Sequence, residues 1–282
     1  MPINKHIITL DVGGSSIKSG IVTNGVVSDI NTRNIDSKAS ADIIIDFWID
    51  IIRKHWKQGI PYGIAFSMPG LFDYKEGISF IKGTHKYENL YGINVKKALL
   101  KKLPEPCKIM FRNDAESAVI GEAVYGAGKP YKKLIGITLG TGFGSSFVNN
   151  GRPQRSSKEV PGNGELFSYK WQGQRADDLF SIRGLTNRLR EEGFNEDPKQ
   201  AAENALIDPK LKRVFETWGK DMGGFLNTYV KQFQPEAVLV LGGLSGAFDV
   251  FEDALSSVLE VPPVKGILKE KAALLGASDM FE

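Results

Sequence analysis

One stretch of this chain occurs twice, and that repeat limits the fold more than any other feature. The first copy reads Ile8-Thr9-Leu10-Asp11-Val12-Gly13-Gly14-Ser15-Ser16, followed by Val22-Thr23-Asn24-Gly25. The second reads Ile137-Thr138-Leu139-Gly140-Thr141-Gly142-Phe143-Gly144-Ser145-Ser146, followed by Val148-Asn149-Asn150-Gly151. Each is an apolar β run, a turn of small residues, a second β run and an Asn-Gly turn, the last a strong hairpin signal. The strand starts are offset by 129 positions (Ile8 to Ile137) and the Asn-Gly turns by 126 (Asn24 to Asn150), so the second hairpin is three residues shorter. Two similar lobes with a cleft between them follow as the expectation. Two Gly-rich hairpins facing each other can hold a nucleotide's phosphates from both sides.

Around the repeat, strands and helices alternate. Residues 5–34 read as three strands, and 40–57 as an amphipathic helix, with Ile44, Ile45, Phe47, Trp48, Ile51, Ile52 and Trp56 at helical spacing. Ser40 is the expected N-cap and Gly59 the stop. A buried strand runs from Tyr62 to Ser67, a basic helix over 94–103, a strand from Ile109 to Phe111 and a small-residue helix from about Ala115 to Tyr125. After the second copy, 178–192 and 199–232 read as mostly helical. Ala237 to Leu241 is an apolar strand ending at Gly242-Gly243, and a last helix covers about 269–280. This pattern predicts α/β layers, and 282 residues suit two domains.

Composition removes several function classes. A net charge of +3 is too small for a nucleic-acid binder. The lysines at 96, 97, 101 and 102, and at 129, 132 and 133, read as solvated faces. The single cysteine, Cys107, allows neither an internal disulfide nor a cysteine-based zinc site. No signal-peptide core opens the chain, and the most apolar helix, around Ile43 to Ile52, is interrupted by Asp46 and Asp50. A cytoplasmic protein with no membrane partner is the expectation.

In Asp11-Val12-Gly13-Gly14-Ser15-Ser16-Ile17-Lys18 a carboxylate at a strand end precedes two glycines. Glycine lets backbone approach a ligand, and successive N–H groups in such a turn form an anion-binding concavity. The carboxylate would repel phosphate, so its expected partner is Mg²⁺ or the ion's waters. The plain alternative for either copy is a tight turn that needs glycine for geometry alone. Other nucleotide motifs fail. Gly126-Ala127-Gly128-Lys129 lacks Walker A spacing, and the Rossmann fingerprint needs a glycine where Ser145 stands.

Taken in order, Asp11 to Lys18, Pro69-Gly70, Asn89-Leu90, Asn113-Asp114-Ala115, Gly140-Thr141-Gly142, Gly164-Glu165 and Gly242-Gly243 make the chain resemble the ROK family of sugar kinases. That family lies within the actin-like, hexokinase-like ATPase superfamily. The resemblance implies two actin-like (ribonuclease H-like) lobes with an inter-lobe cleft. The N-terminal lobe would be 1–112, with a C-terminal helix at about 267–282 packing back on it, and the C-terminal lobe 113–266. It implies ATP-dependent phosphorylation of a sugar hydroxyl on a hexose or amino sugar. Asp114 would be the general base, and Asn89, Asn113, Asp114, Glu165 and Asp178 would bind sugar. Gly13, Gly14, Ser15, Lys18, Gly140, Thr141 and Gly142 would hold the ATP phosphates. Gly242 and Gly243 would pack near the adenosine, and Asp11 would hold Mg²⁺ through water. A homodimer is implied as well.

Asp114 also has a physical case, because a carboxylate within reach takes the proton of a poor hydroxyl nucleophile as it attacks the γ-phosphoryl group. Its plain alternative is a helix N-cap. The chain departs from the family where the E-x-G-H motif becomes Glu165-Leu166-Phe167-Ser168, with serine in place of the zinc-binding histidine. The family's zinc cysteines are missing too, so no structural zinc is expected. Ser145-Ser146 replaces the usual glycines and reads as a tolerated change. A non-catalytic sugar or nucleotide sensor of the same fold is the alternative function.

Overall fold

The computed structural model describes residues 5–83 and 85–282. The chain divides into two compact units, Met1–Gly121 with Glu270–Glu282, and Glu122–Lys269.

In the first unit, β1 (His6–Val12), β2 (Ser16–Thr23) and β3 (Val26–Asn34) form an antiparallel meander. Asn24 and Gly25, both at positive φ, close its second turn. Helix α1 (Ala41–Trp56) then crosses to β4 (Gly63–Met68), which lies parallel to β1. A short hairpin, β5 (Phe72–Asp73) with β6 (Ile78–Ser79), and helix α2 (Val95–Lys102) lead to β7 (Ile109–Asn113), parallel to β4. Helix α3 (Asp114–Tyr125) follows at once. The sheet order is β3-β2-β1-β4-β7.

Of the apolar stripe read from the sequence, Ile44, Ile45, Trp48, Ile51 and Ile52 form the buried face of α1, whereas Phe47 and Trp56 are only half-buried at its edges; Trp48 lies 5.7 Å from the ring of Phe66 on β4. Burying each such side chain stabilises the unit by roughly 1.5–3 kcal/mol, so this face holds α1 to the sheet. Ser40 occupies the N-cap position, but its hydroxyl makes no capping bond.

The second unit repeats the plan. Strands β8 (Lys133–Leu139), β9 (Phe143–Asn149) and β10 (Arg152–Gln154) form the meander. Next come a small hairpin, β11 (Lys170–Trp171) with β12 (Gln174–Arg175), and the helices α4 (Ala176–Phe180), α5 (Ile182–Glu191), α6 (Pro198–Asn204) and α7 (Pro209–Phe233). Strand β13 (Ala237–Leu241), helix α8 (Phe248–Ser256) and strand β14 (Pro263–Lys265) complete it. The order β10-β9-β8-β13-β14, with β8, β13 and β14 parallel, matches the first sheet strand for strand. Helix α9 (Lys271–Ser278) returns to the first unit and packs on β1 and β4.

The helical stretches of the second half are subdivided where the sequence places helix starts. Asp197 and Asp208 each cap a helix through backbone N–H groups and are each followed by proline at the first helical position. Ser181 separates α4 from α5 and caps the latter. Among the described residues, no helix is long and apolar enough to cross a membrane.

Candidate functional site

Asp11, the turn at Gly13-Gly14, Pro69-Gly70, Asn113 and Asp114 stand at or just after the C-terminal ends of β1, β4 and β7, the edge at which α/β sheets bind ligands. Register puts Asp11 opposite Ser67 and Met68 opposite Asn113. Ser67 Oγ donates to Asp11 Oδ1 at 2.8 Å. Burial pushes the Asp11 carboxyl above the usual carboxylate range, against the opposing pull of the Ser67 hydrogen bond and the charge of Lys18. A cation beside Asp11 would compensate that desolvated charge. Among the described residues no group of three or more His, Cys, Asp or Glu side chains is placed to hold a metal. One carboxylate suits Mg²⁺ that arrives with phosphate and water ligands.

The turn after β1 is closed by Gly13 N–H donating to the Ser16 carbonyl at 3.0 Å, and a Cβ on Gly13 would fall 2.7 Å from that oxygen. Tyr87, fully buried, donates its phenol to the Gly13 carbonyl at 2.6 Å. Lys86 lies over Gly14, its Nζ 2.5 Å from where a Cβ would stand. Ser15 is exposed, and its carbonyl accepts from Ile35 N–H.

The β7–α3 junction carries the proposed base. Asn113 Oδ1 accepts from Glu116 N–H at 3.0 Å, three residues on, which is the N-cap bond of α3. The capping role weighed for Asp114 thus belongs to its neighbour. Asp114 is half-buried, with Oδ1 2.8 Å from its neighbour Ala115 N. Asn113 Nδ2 donates to the Tyr74 hydroxyl at 3.2 Å, and that hydroxyl donates to the Gly70 carbonyl at 2.8 Å, tying Pro69-Gly70 to the junction. Beneath it, buried Arg112 bonds the Gly276 carbonyl and pairs with Glu116 and Asp279. Asn89 donates to the carbonyls of Lys38 and Ala39, both at 2.9 Å.

In the second unit, Gly140 and Gly242 follow adjacent parallel strands. Gly242 has φ of +90°, and a Cβ there would meet the Leu139 carbonyl at 2.5 Å, so only glycine fits. Gly243 has open space around it. The turn through Gly140, Thr141 and Gly142 is held by Asp177, whose Oδ1 accepts from Phe143 N–H at 2.8 Å. Ile182 N–H also donates to the Gly140 carbonyl at 2.8 Å. Sequence reasoning missed Asp177; its neighbour Asp178 pairs with Arg175 and Arg183 at 2.7 and 2.9 Å. The arginines hold the Asp178 carboxyl below its ordinary range. Glu165 lies in a cavity of about 280 Å³ together with Gly162, Phe167, Ser168 and Tyr169. Phe167 and Tyr169 are among the exposed aromatic residues of the chain.

Known proteins share this plan. Residues 7–164 match the ROK family. Glucokinase of Thermotoga maritima is 22% identical over 98% of this chain and 97% of its own length. The xylose repressor of Bacillus spizizenii is 30% identical over 83% of this chain and 63% of its own. The structure of a ROK family glucokinase from Streptomyces griseus, in complex with glucose and AMPPNP, superposes with a TM-score of 0.77 at 21% identity over 98% of each chain. The twice-used sheet is therefore the actin-like ATPase fold. With the ordered motifs from Asp11 to Glu165 set on it and more than half its length matched, this chain belongs to the ROK family.

Proposed function

We propose that the chain is an ATP- and Mg²⁺-dependent sugar kinase acting on a hydroxyl of a hexose or amino sugar in the cytoplasm, as a homodimer. The observation that carries this reading is the shared strand edge of Asp11 and Asp114: a half-buried acid before a glycine turn, and a second acid at the start of α3, where Asn113 makes the capping bond. The similarity to kinases of the family supports it.

In this reading the turns at Gly13-Gly14 and at 140–142 hold the ATP phosphates with backbone N–H groups, with Ser15, Thr141 and Lys18 beside them. Bound Mg²⁺ would offset the charge on the transferring phosphoryl group, and Asp11 is the protein group that would hold it. Gly242 and Gly243 pack near the adenosine. Asn113, Glu165, Asn89 and Asp178 orient the sugar. Asp114 takes the proton as the sugar oxygen bonds the γ-phosphorus and the bond to the bridging oxygen breaks, releasing ADP.

The test is coupled-assay ATP turnover on a panel of hexoses and N-acetylhexosamines, with Asp114→Asn as control. We expect turnover on one sugar and a loss of roughly 10²–10⁴ in kcat in the variant. Turnover unchanged by Asp114→Asn would remove the base assignment. A second reading, a sugar or nucleotide sensor without turnover, draws on the likeness to xylose repressors; nucleotide binding with no turnover on any sugar would select it.

A further inference from the structure

The loop that carries Glu165 has an anchor outside itself. The turn from Pro161 to Glu165 is closed by Gly164 N–H to the Pro161 carbonyl at 2.6 Å and by Glu165 N–H to the Gly162 carbonyl at 3.0 Å. These bonds define the turn without fixing it to the sheet. Ser145, on β9 and 5% exposed, supplies that link. Its Oγ donates to the Gly164 carbonyl at 2.7 Å and accepts from Leu166 N–H at 2.8 Å. One hydroxyl therefore holds the peptide groups on both sides of Glu165, and the carboxylate keeps only its own side-chain rotations.

We propose that Ser145 is a positioning residue for the sugar site: its buried hydroxyl fixes the backbone on either side of Glu165, so that the carboxylate meets the sugar hydroxyls already oriented. The proposal rests on the kinase reading for its substrate, not for its geometry. Glycine or alanine at position 145 would strand a buried carbonyl and a buried N–H, and the loop would move to reach water. Preorganisation of a binding group acts on affinity, because the ordering is complete before the ligand arrives. The phosphate turn at 140–142 is held separately by Asp177 and Ile182, so the effect falls on sugar rather than on ATP.

The test uses the full chain with Ser145→Ala, Ser145→Gly and Ser145→Thr. Hydrogen exchange is followed at the Leu166 amide, and steady-state kinetics with sugar and ATP are measured for the same proteins. In the Ala and Gly variants we expect Leu166 to exchange faster than in the parent while the β1 and β8 amides keep their protection. We expect the sugar KM to rise about tenfold, the loss of one to two net hydrogen bonds, with the ATP KM unchanged. Thr, which keeps the hydroxyl, should restore both readouts. Unchanged exchange at Leu166 overturns the proposal, as does an equal rise in both KM values. Faster exchange in a protein that turns over no sugar would uphold the anchor and overturn the kinase reading instead.

Discussion

Asp11 shows what a candidate site residue does to the stability of its own unit. Burial raises its folded-state pKa above that of the unfolded chain, with Ser67 and Lys18 only partly opposing. An acid shifted that way contributes its full stability below the unfolded pKa of about 3.9 and loses it as pH rises through the folded value. Above the unfolded pKa the native state therefore bears a desolvation cost that asparagine would not. Asp11→Asn, which can still accept from Ser67, should melt at a higher temperature than the parent at pH 7. The two proteins should converge as pH falls toward the unfolded value, and the variant should lose Mg²⁺-dependent turnover. A lower melting temperature for Asp11→Asn at pH 7 would refute this. The sequence marked Asp11 because a carboxylate beside two glycines has a chemical meaning. It could not assign the α3 cap to Asn113 rather than Asp114, because both residue types cap helices. Nor could it show Asp177 at the Gly142 turn, a contact made across 34 residues.

Among elements, α1 and its neighbours carry a buried histidine that the functional motifs never touch. His55 Nδ1 lies 2.8 Å from Asp29 on β3, and its Nε2 is 2.9 Å from the Ser19 hydroxyl on β2. Serine, histidine and aspartate in line resemble a nucleophile set, but Ser19 is 2% exposed and no substrate reaches it. The three side chains clamp α1 to the meander. Burial lowers the His55 pKa, with Lys54 and His6 acting in the same direction, and Asp29 only partly offsets them. A base depressed in the folded state contributes stability above the unfolded pKa of about 6.5. That stability is lost as pH falls through the folded value, because the unfolded chain takes up the proton first. Denaturant midpoints should therefore drop from about pH 7.5 to about pH 5, and less steeply in His55→Gln. Equal slopes in the two proteins would dismiss the clamp as a pH-linked element. The presence of α1 was legible from its apolar period. The clamp was not, because it joins three elements. Helix α8 was not read at all, although Phe248, Phe251 and Leu255 bury one face; its short run follows Gly242 to Gly246, where glycine signals dominate.

Across the whole molecule, one five-stranded plan is used twice, and its second use carries the Glu165 loop, for which the sequence reading expects no structural zinc. The repeat was readable because each hairpin pairs residues close in sequence. The ordering of the loop was not, because its bonds join residues that the sequence reading had not paired. Ala176 N–H donates to the Tyr169 carbonyl at 2.7 Å and Asp177 N–H to the Phe167 carbonyl at 3.0 Å. The Tyr169 ring stands edge-on to Tyr229 at 5.9 Å, and Trp171 covers Gly224, where a Cβ would meet it at 2.8 Å. These contacts and the Ser145 anchor give the loop hydrogen bonds, aromatic packing and a close helix approach of its own. A structural zinc, where one exists, is a large share of folding free energy, and in a protein of this size each kcal/mol lost lowers Tm by roughly 2–4 °C. Exhaustive EDTA treatment should leave Tm unchanged while abolishing turnover, and Mg²⁺ alone should restore activity. Metal analysis of the purified protein should find zinc far below one equivalent. A Tm that falls in EDTA and recovers only with zinc would mean that an ion, and not these side chains, holds the loop in place.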